Sequence, residues 1–365
     1  DLEVRSWLHQ QHIGRSFAAS DLDGDGRRDL IVGSIGGDDN GKPITGTVYV
    51  FSGGAGLSGT RTLSPTMQAT YGFVSSESTQ SFAEANALAA GQLNGSGPAD
   101  LIVGEVSGSA PGNRAQAGVV RVFFGSNGLP AVWDTRVLSA SLTIYGAATD
   151  QQLGRVAVAD FNGDGQLDLI ARSVVTAYVF YGPLASGVID LASTGADLAI
   201  GGLSDGPLAT GDVNGDGRAD LVLGSGSTIK VVPGNTITVQ AAFANVAPSA
   251  LHALDWNGDG EDDLVIGESS KNRALVIFGS ATLSGTADAL DRANWIVTGE
   301  KSTDQFGYSL GSGDLDADGG QDLILGSRAH TLDDRPDPHF NDAGAVYVLY
   351  GVASIQRVFL PVILK

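Results

Sequence analysis

Apolar residues in this chain come in short runs separated by acidic and glycine-rich stretches, and no long segment holds a 3.6-residue apolar period. That pattern predicts strands and turns with little helix. One unit, an acidic glycine loop running into an apolar strand, occurs six times. It reads DLDGDGRRDLIVG from Asp21, QLNGSGPADLIVG from Gln92, DFNGDGQLDLIAR from Asp160, DVNGDGRADLVLG from Asp212, DWNGDGEDDLVIG from Asp255 and DLDADGGQDLILG from Asp314. The spacing between copies is irregular, as expected of variable loops on a fixed core.

Each unit reads as four strands. A strand of small residues precedes the loop (Phe17–Ala19, Val156–Ala159, Leu208–Thr210), and a second follows it (Leu30–Val32, Leu221–Leu223). The third is rich in Val, Tyr and Phe, as strands favour: Thr47–Phe51, Val119–Phe124, Ala177–Tyr181, Ile229–Val232, Ala274–Phe278 and Ala345–Tyr350. A weaker fourth follows, for example Leu142–Tyr145 or Trp295–Thr298. Four strands per repeat predict radial stacking into an all-β propeller, in which small first strands suit the crowded axis. Leu2–Gln10 resembles Asn294–Glu300, so the N-terminus is expected to supply the outer strand of the last blade. The expected domain is a single six-bladed propeller over residues 1–353, with 354–365 as an apolar tail or alternative closing strand. Seven blades is the alternative count.

Composition sharpens this picture. Fifty-two glycines against twelve prolines supply tight turns without a proline-rich linker, and 42% hydrophobic residues fill a core. Only 17% of residues are charged, yet the formal net charge is -20, so the acid is concentrated. That sign argues against nucleic acid and anionic membranes. No run of eighteen apolar residues spans a bilayer. With no cysteine, disulfides and thiolate metal sites are excluded. A chain that starts at Asp1 without a signal-like segment reads as processed or trimmed.

The loops follow D-x-[DN]-x-D-G-x-x-D. Alternate oxygen side chains, a glycine turn, one peptide carbonyl and a final carboxylate suit calcium, a hard cation taking six to eight oxygens. The expected donors are Asp21, Asp23, Asp25, the Arg27 carbonyl and Asp29 in the first loop. In the third they are Asp160, Asn162, Asp164, Gln166 (carbonyl) and Asp168. The fourth offers Asp212, Asn214, Asp216, Arg218 (carbonyl) and Asp220, and the fifth Asp255, Asn257, Asp259, Glu261 (carbonyl) and Asp263. The sixth offers Asp314, Asp316, Asp318, Gly320 (carbonyl) and Asp322. The second loop, with Gln92, Asn94, Ser96 and Asp100, has one carboxylate and is expected to stay empty. An EF-hand needs glutamate at the twelfth position, where Val32 and Leu223 stand inside strands. Asp, Asn and Gly also favour ordinary turns, but five loops in one register cluster like charges that repel by about 1 kcal/mol in water and about 4 at an effective dielectric of 20. Five calcium ions would halve the net charge.

These loops, followed mostly by DL[IV][VLI]G and a strand like G-x-V-Y-V-F, resemble FG-GAP repeats of the kind found in integrin α-subunit heads. The dipeptide survives at Phe306–Gly307, with echoes at Leu153–Gly154 and Ile13–Gly14, while Asp168–Arg172 departs from the pattern. The resemblance implies calcium loops on one face of a disc and recognition loops on the other. The family's ligand-binding residues do not carry over, since no motif matches them. Some lectins and polysaccharide lyases share the propeller type.

Connections between second and third strands are long only at Ser34–Gly46, Glu105–Gly118 and Ser327–Gly344. They are the expected recognition surface, with Asp38, Asp39, Lys42, Arg114, His330, Arg335, His339 and Phe340 as candidate ligand contacts. The bland alternative is drift in solvated loops. His9, His12, His252, His330 and His339 fall in no catalytic motif, so a non-catalytic module is expected, with a lyase as the minority alternative. Trp7, Trp133, Trp256 and Trp295 are candidates for sugar stacking or for the core. The expectation is a monomeric, secreted or cell-surface module, binding an extracellular protein or a glycan, and the excess of arginine over lysine points to a GC-rich bacterial source.

Overall fold

A computed structural model describes residues 2–6, 12–35, 47–54, 59–63, 71–74, 87–125, 132–134, 139–329, 345–351 and 359–360. It is an all-β, six-bladed propeller fold whose described helix amounts to single turns at Ser269–Lys271 and Ala289–Arg292. The described residues form two compact units, Asp1–Asp160 with Asp164–Leu203, and Phe161–Gly163 with Ser204–Lys365.

In the first unit, β1 is Leu2–Ser6. The first blade holds β2 (His12–Ser20), β3 (Asp29–Ile35), β4 (Thr47–Phe51), β5 (Gly59–Leu63) and β6 (Tyr71–Val74). The second holds β7 (Leu88–Gly91), β8 (Asp100–Glu105), β9 (Val119–Phe123), β10 (Val132–Asp134) and β11 (Leu142–Tyr145). The third holds β12 (Arg155–Ala159), β13 (Asp168–Arg172), β14 (Ala177–Phe180), β15 (Gly187–Asp190) and β16 (Leu198–Ile200). In the second unit the fourth blade comprises β17 (Leu208–Gly211), β18 (Asp220–Ser225), β19 (Thr228–Val232) and β20 (Ala241–Ala244). The fifth comprises β21 (Ala250–Leu254), β22 (Asp263–Glu268), β23 (Arg273–Ile277), β24 (Gly285–Asp288) and β25 (Trp295–Thr298), and the sixth β26 (Phe306–Gly313), β27 (Asp322–Ser327), β28 (Ala345–Leu349) and β29 (Phe359–Leu360). Four strands in each blade run antiparallel, in the orders β2-β3-β4-β6, β7-β8-β9-β11, β12-β13-β14-β16, β17-β18-β19-β20, β21-β22-β23-β25 and β26-β27-β28-β29.

Within each unit the cores lie between consecutive blades. Leu22, Ile31, Val48 and Val50 of the first blade pack on Leu88, Leu101, Val103 and Phe123 of the second. Leu93, Ile102 and Val120 pack on Leu153, Val156 and Leu169 of the third. In the second unit, Val222 and Val231 meet Leu251, Leu264 and Ile266, and Val265 and Val276 meet Leu323 and Leu325. A second strand covered on both faces cannot alternate, so every residue of β8 and β22 is buried, and their runs DLIVGE and DLVIGE are almost wholly apolar between two acids.

The structure adds strands that the sequence does not announce. β10 runs parallel to β6, β15 to β11, and β24 to β20. In each case the connection between third and fourth strands lies along the outer strand of the preceding blade. The long connections 124–141, 181–197 and 278–294 reach that edge, whereas 233–240 in the fourth blade is about half as long. β5 makes the same parallel pairing with β1. Among the described residues, the strand hydrogen-bonded to β28 is β29, from the segment expected to be a tail or alternative closing strand.

Candidate functional site

The five acidic loops share one wiring scheme. The first carboxylate of each accepts the N–H of the glycine at the sixth position: Gly26 to Asp21 at 2.8 Å, Gly165 to Asp160 at 2.9 Å, Gly217 to Asp212 at 2.8 Å, Gly260 to Asp255 at 3.0 Å and Gly319 to Asp314 at 3.1 Å. Its other oxygen accepts from the fifth residue, as Asp25 N–H does to Asp21 at 3.1 Å. These bonds wrap the loop around one carboxylate. The wrapping needs left-handed backbone at the fourth and sixth positions, where Gly24 and Gly26 have φ of 79° and 82°. The sixth loop puts Ala317 at the fourth position, with φ of 62°.

The last aspartate has a second role that the motif alone does not reveal. Asp29, Asp100, Asp168, Asp220, Asp263 and Asp322 are all fully buried. Each accepts the N–H of a glycine just after the third strand: Gly53 at 2.9 Å, Gly125 at 2.8 Å, Gly182 at 2.9 Å, Gly234 at 3.2 Å, Gly279 at 3.0 Å and Gly351 at 2.9 Å. Those glycines are legible in sequence as the residue that closes each third strand. A Cβ at Gly53 would lie 2.3 Å from the Arg28 carbonyl oxygen, so only glycine fits that approach. Burial pushes Asp29 and Asp100 upward, and Asp220 and Asp263 up to about 7, against the backbone donors that favour the charged form.

The carboxylates converge. Asp21, Asp23 and Asp25 each bring an oxygen within 4.8 Å of the others, as do Asp314, Asp316 and Asp322. In the third to fifth loops the middle donor is the neutral Asn162, Asn214 or Asn257, which lowers the charge density. Asn214 Nδ2 donates to Asp220 at 2.9 Å, leaving its amide oxygen on the N–H of Asp216. The donor set is all oxygen, which suits a hard divalent cation and not a thiophilic one.

The second loop has the same shape with different chemistry. Gly95 N–H donates to Gln92 Oε1 at 2.7 Å, as Gly24 does to Asp21. The Gln92 amide nitrogen then donates to the carbonyls of Ser96, Gly97 and Pro98 at 2.6, 3.1 and 3.0 Å. Pro98 holds the position of Arg27, whose carbonyl was expected to face a cation. Here a side-chain N–H group sits against it.

Of the candidate ligand contacts, Asp38, Asp39, Lys42, His330, Arg335, His339 and Phe340 lie outside the described residues. Arg114 is described, and its guanidinium forks onto both oxygens of Asp190, with Nη1 to Oδ1 at 2.7 Å, and also reaches the Gly146 carbonyl at 2.7 Å. It pins the connection after β8, which is further tied by Gly118 N–H to Gly108 and Asp150 N–H to Ala115. Trp256 and Trp295 pack edge to face at 6.0 Å against the core between the fifth and sixth blades. Trp7 is outside the described residues. His252 is held by Ser312 Oγ at 2.9 Å.

The FG-GAP repeat profile matches residues 13–51, 208–238 and 306–349. A phosphatidylinositol-glycan-specific phospholipase D of Dictyostelium discoideum is 32% identical over 183 residues, which cover 44% of this chain and 18% of that protein. The chain thus spans less than a fifth of that relative. Among solved structures, the WD40 domain of Toxoplasma gondii coronin aligns with 96% of this chain and 74% of its own at a TM-score of 0.50 and 9% identity, a likeness of fold alone. BBS1N, solved in complex with ARL6DN, aligns with 86% of this chain and 89% of its own at a TM-score of 0.49 and 10% identity. The first, fourth and sixth blades of this chain carry FG-GAP repeats.

Proposed function

We propose that this chain is a calcium-binding recognition module without catalytic activity, which engages an extracellular protein or a glycan. The observation that carries the reading is the contrast inside one molecule. Five loops carry the acidic pattern, with carboxylate oxygens within 4.8 Å of one another in the first and sixth, while the second loop brings an N–H group to the equivalent carbonyl. The loop that keeps only its last carboxylate, Asp100, thus places an amide dipole where the others bring further oxygen donors. The residues at Asp21–Asp29, Asp160–Asp168, Asp212–Asp220, Asp255–Asp263 and Asp314–Asp322 would hold the ions, which would neutralise the clustered carboxylates and lock the turns.

Recognition is assigned to the connections at 34–46, 105–118 and 327–344. Within a blade the acidic loop enters the second strand and this connection leaves it, so the two sit at opposite ends of a strand of six residues, about 20 Å apart. The Arg114–Asp190 fork supports this assignment, because it holds one such connection rigid while leaving Pro111–Asn113 exposed. The phospholipase activity named for the relative belongs to that protein. Replacing 327–344 with the two-residue turn of the fourth blade, Gly226–Ser227, should abolish binding to a partner captured on a glycan array or from surface proteins. Calcium content should be unchanged. Retained binding would remove these connections from the reading.

A further inference from the structure

The fifth loop differs from the others at its eighth position. Where they carry Arg28, Ala99, Leu167, Ala219 and Gln321, it carries Asp262. The Asp262 N–H donates to the Asp212 carbonyl at 2.9 Å, and its carboxylate accepts the Asp212 N–H at 2.8 Å. The Asp255 carboxylate lies near enough to act electrostatically on the same group, which burial and the Asp212 and Asp255 charges push upward. Asp212 and Asp255 open the fourth and fifth loops. One residue of the fifth loop therefore holds both main-chain groups of the residue that opens the fourth. The chain leaves room for it: a Cβ on Gly211 would lie 2.6 Å from Asp262 Oδ2. The first and second loops share only the backbone half of this link, Ala99 N–H to the Asp21 carbonyl at 2.9 Å.

We propose that Asp262 is a positioning residue that couples the fourth and fifth loops, so that calcium held in one raises the affinity of the other. The inference rests on the calcium reading of both loops. Two physical links carry it. Asp263, the last donor of the fifth loop, is the next residue along the chain, so ordering it fixes Asp262 and with it both main-chain groups of Asp212. Electrostatically, the Asp262 carboxylate lies beside those of Asp212 and Asp255, and an ion in either loop relieves repulsion felt by both. Coupling of binding free energies is reciprocal.

The test is a calcium titration of the full chain followed by NMR, with the Gly217 and Gly260 amides reporting each loop separately through their bonds to Asp212 and Asp255. Asp259→Ala, which disables the fifth loop, should weaken binding at Gly217 by about fivefold or more, the low end of ordinary couplings. Asp216→Ala should do the same at Gly260. In an Asp262→Asn background both effects should fall below about twofold, while Asp262→Asn alone still binds five ions and unfolds thermally as a folded chain. Should Asp262→Asn lower the unfolding midpoint below the titration temperature, Asp262→Glu, which keeps the charge but shifts the oxygens, replaces it with the same expected loss. Unchanged affinity at Gly217 in Asp259→Ala overturns the coupling, and coupling that survives both substitutions overturns the role of Asp262. If neither glycine responds to calcium, the calcium reading itself fails and takes the coupling with it.

Discussion

The Gln92 amide nitrogen lies 3.0 Å from the Pro98 carbonyl oxygen, the position at which the first loop presents the carbonyl of Arg27. The same nitrogen serves Ser96 and Gly97, so one primary amide holds three carbonyls that point inward. Restoring carboxylates should exchange this donor for an ion. The double variant Gln92→Asp, Ser96→Asp is expected to bind six calcium ions against an expected five for the parent, counted by calorimetry on chelator-stripped protein. A count that stays at five would mean that the Pro98 carbonyl does not take part in a cation site. Gln92→Ala, with neither amide nor ion, should cost only about 0.5–1.5 kcal/mol, because water reaches the carbonyls it releases.

Chelation should lower the thermal midpoint, because ions bound only to the folded chain stabilise it by mass action. Asp216→Ala should be destabilising in calcium and much less so in chelator, while Ser96→Ala should behave alike in both. Equal effects of Asp216→Ala in both conditions would make that loop an ordinary turn.

Ala317 bears a left-handed conformation that costs a non-glycine residue about 1 kcal/mol. Ala317→Gly relieves that cost but frees the unfolded chain, so the net gain should be roughly 0.5–1 kcal/mol. Urea unfolding of the two proteins in calcium decides it. A loss of stability would contradict the assigned conformation.

Glu268 supplies the pH prediction. Burial pushes its carboxyl up, but Lys271, the Ala247 N–H and Arg273 outweigh burial and hold it below its ordinary value. The contacts are at 2.7, 2.7 and 2.6 Å. A depressed carboxyl contributes stability that is present above its unfolded pKa of about 4.3 and lost as pH falls through the folded value. Glu268→Gln should cost about 1.5–3 kcal/mol at pH 7, the range of hydrogen bonds to a charged group, since Lys271 and Arg273 are partly exposed and remain solvated. The gap from the parent should narrow below pH 4. A gap that is constant with pH would assign the loss to packing.

Much of this was legible in the chain, and the reasons are local. The loop aspartates and glycines act within nine residues of one another, so their register survives in a linear reading. Third strands such as Thr47–Phe51 announce themselves by β-branched and aromatic residues. What stayed hidden depends on distance or brevity. The parallel strands Val132–Asp134, Gly187–Asp190 and Gly285–Asp288 are too short to show a period, and their partners lie one blade back. Arg114 reads as a free surface cation until the fold brings Asp190 to it. The burial of Asp29 and its five counterparts is likewise tertiary, since Gly53 and its equivalents arrive from beyond the third strand.

The added parallel strands also determine where this chain can be opened. β10, β15 and β24 each carry the outer edge of one blade on a piece of the next, so a cut within 124–141, 181–197 or 278–294 would release a clasp between neighbours as well as a loop. The segment 233–240 carries no such strand. A second protein inserted in that segment should leave the clasps made by β10, β15 and β24 intact, which makes it the natural point for joining one to this scaffold.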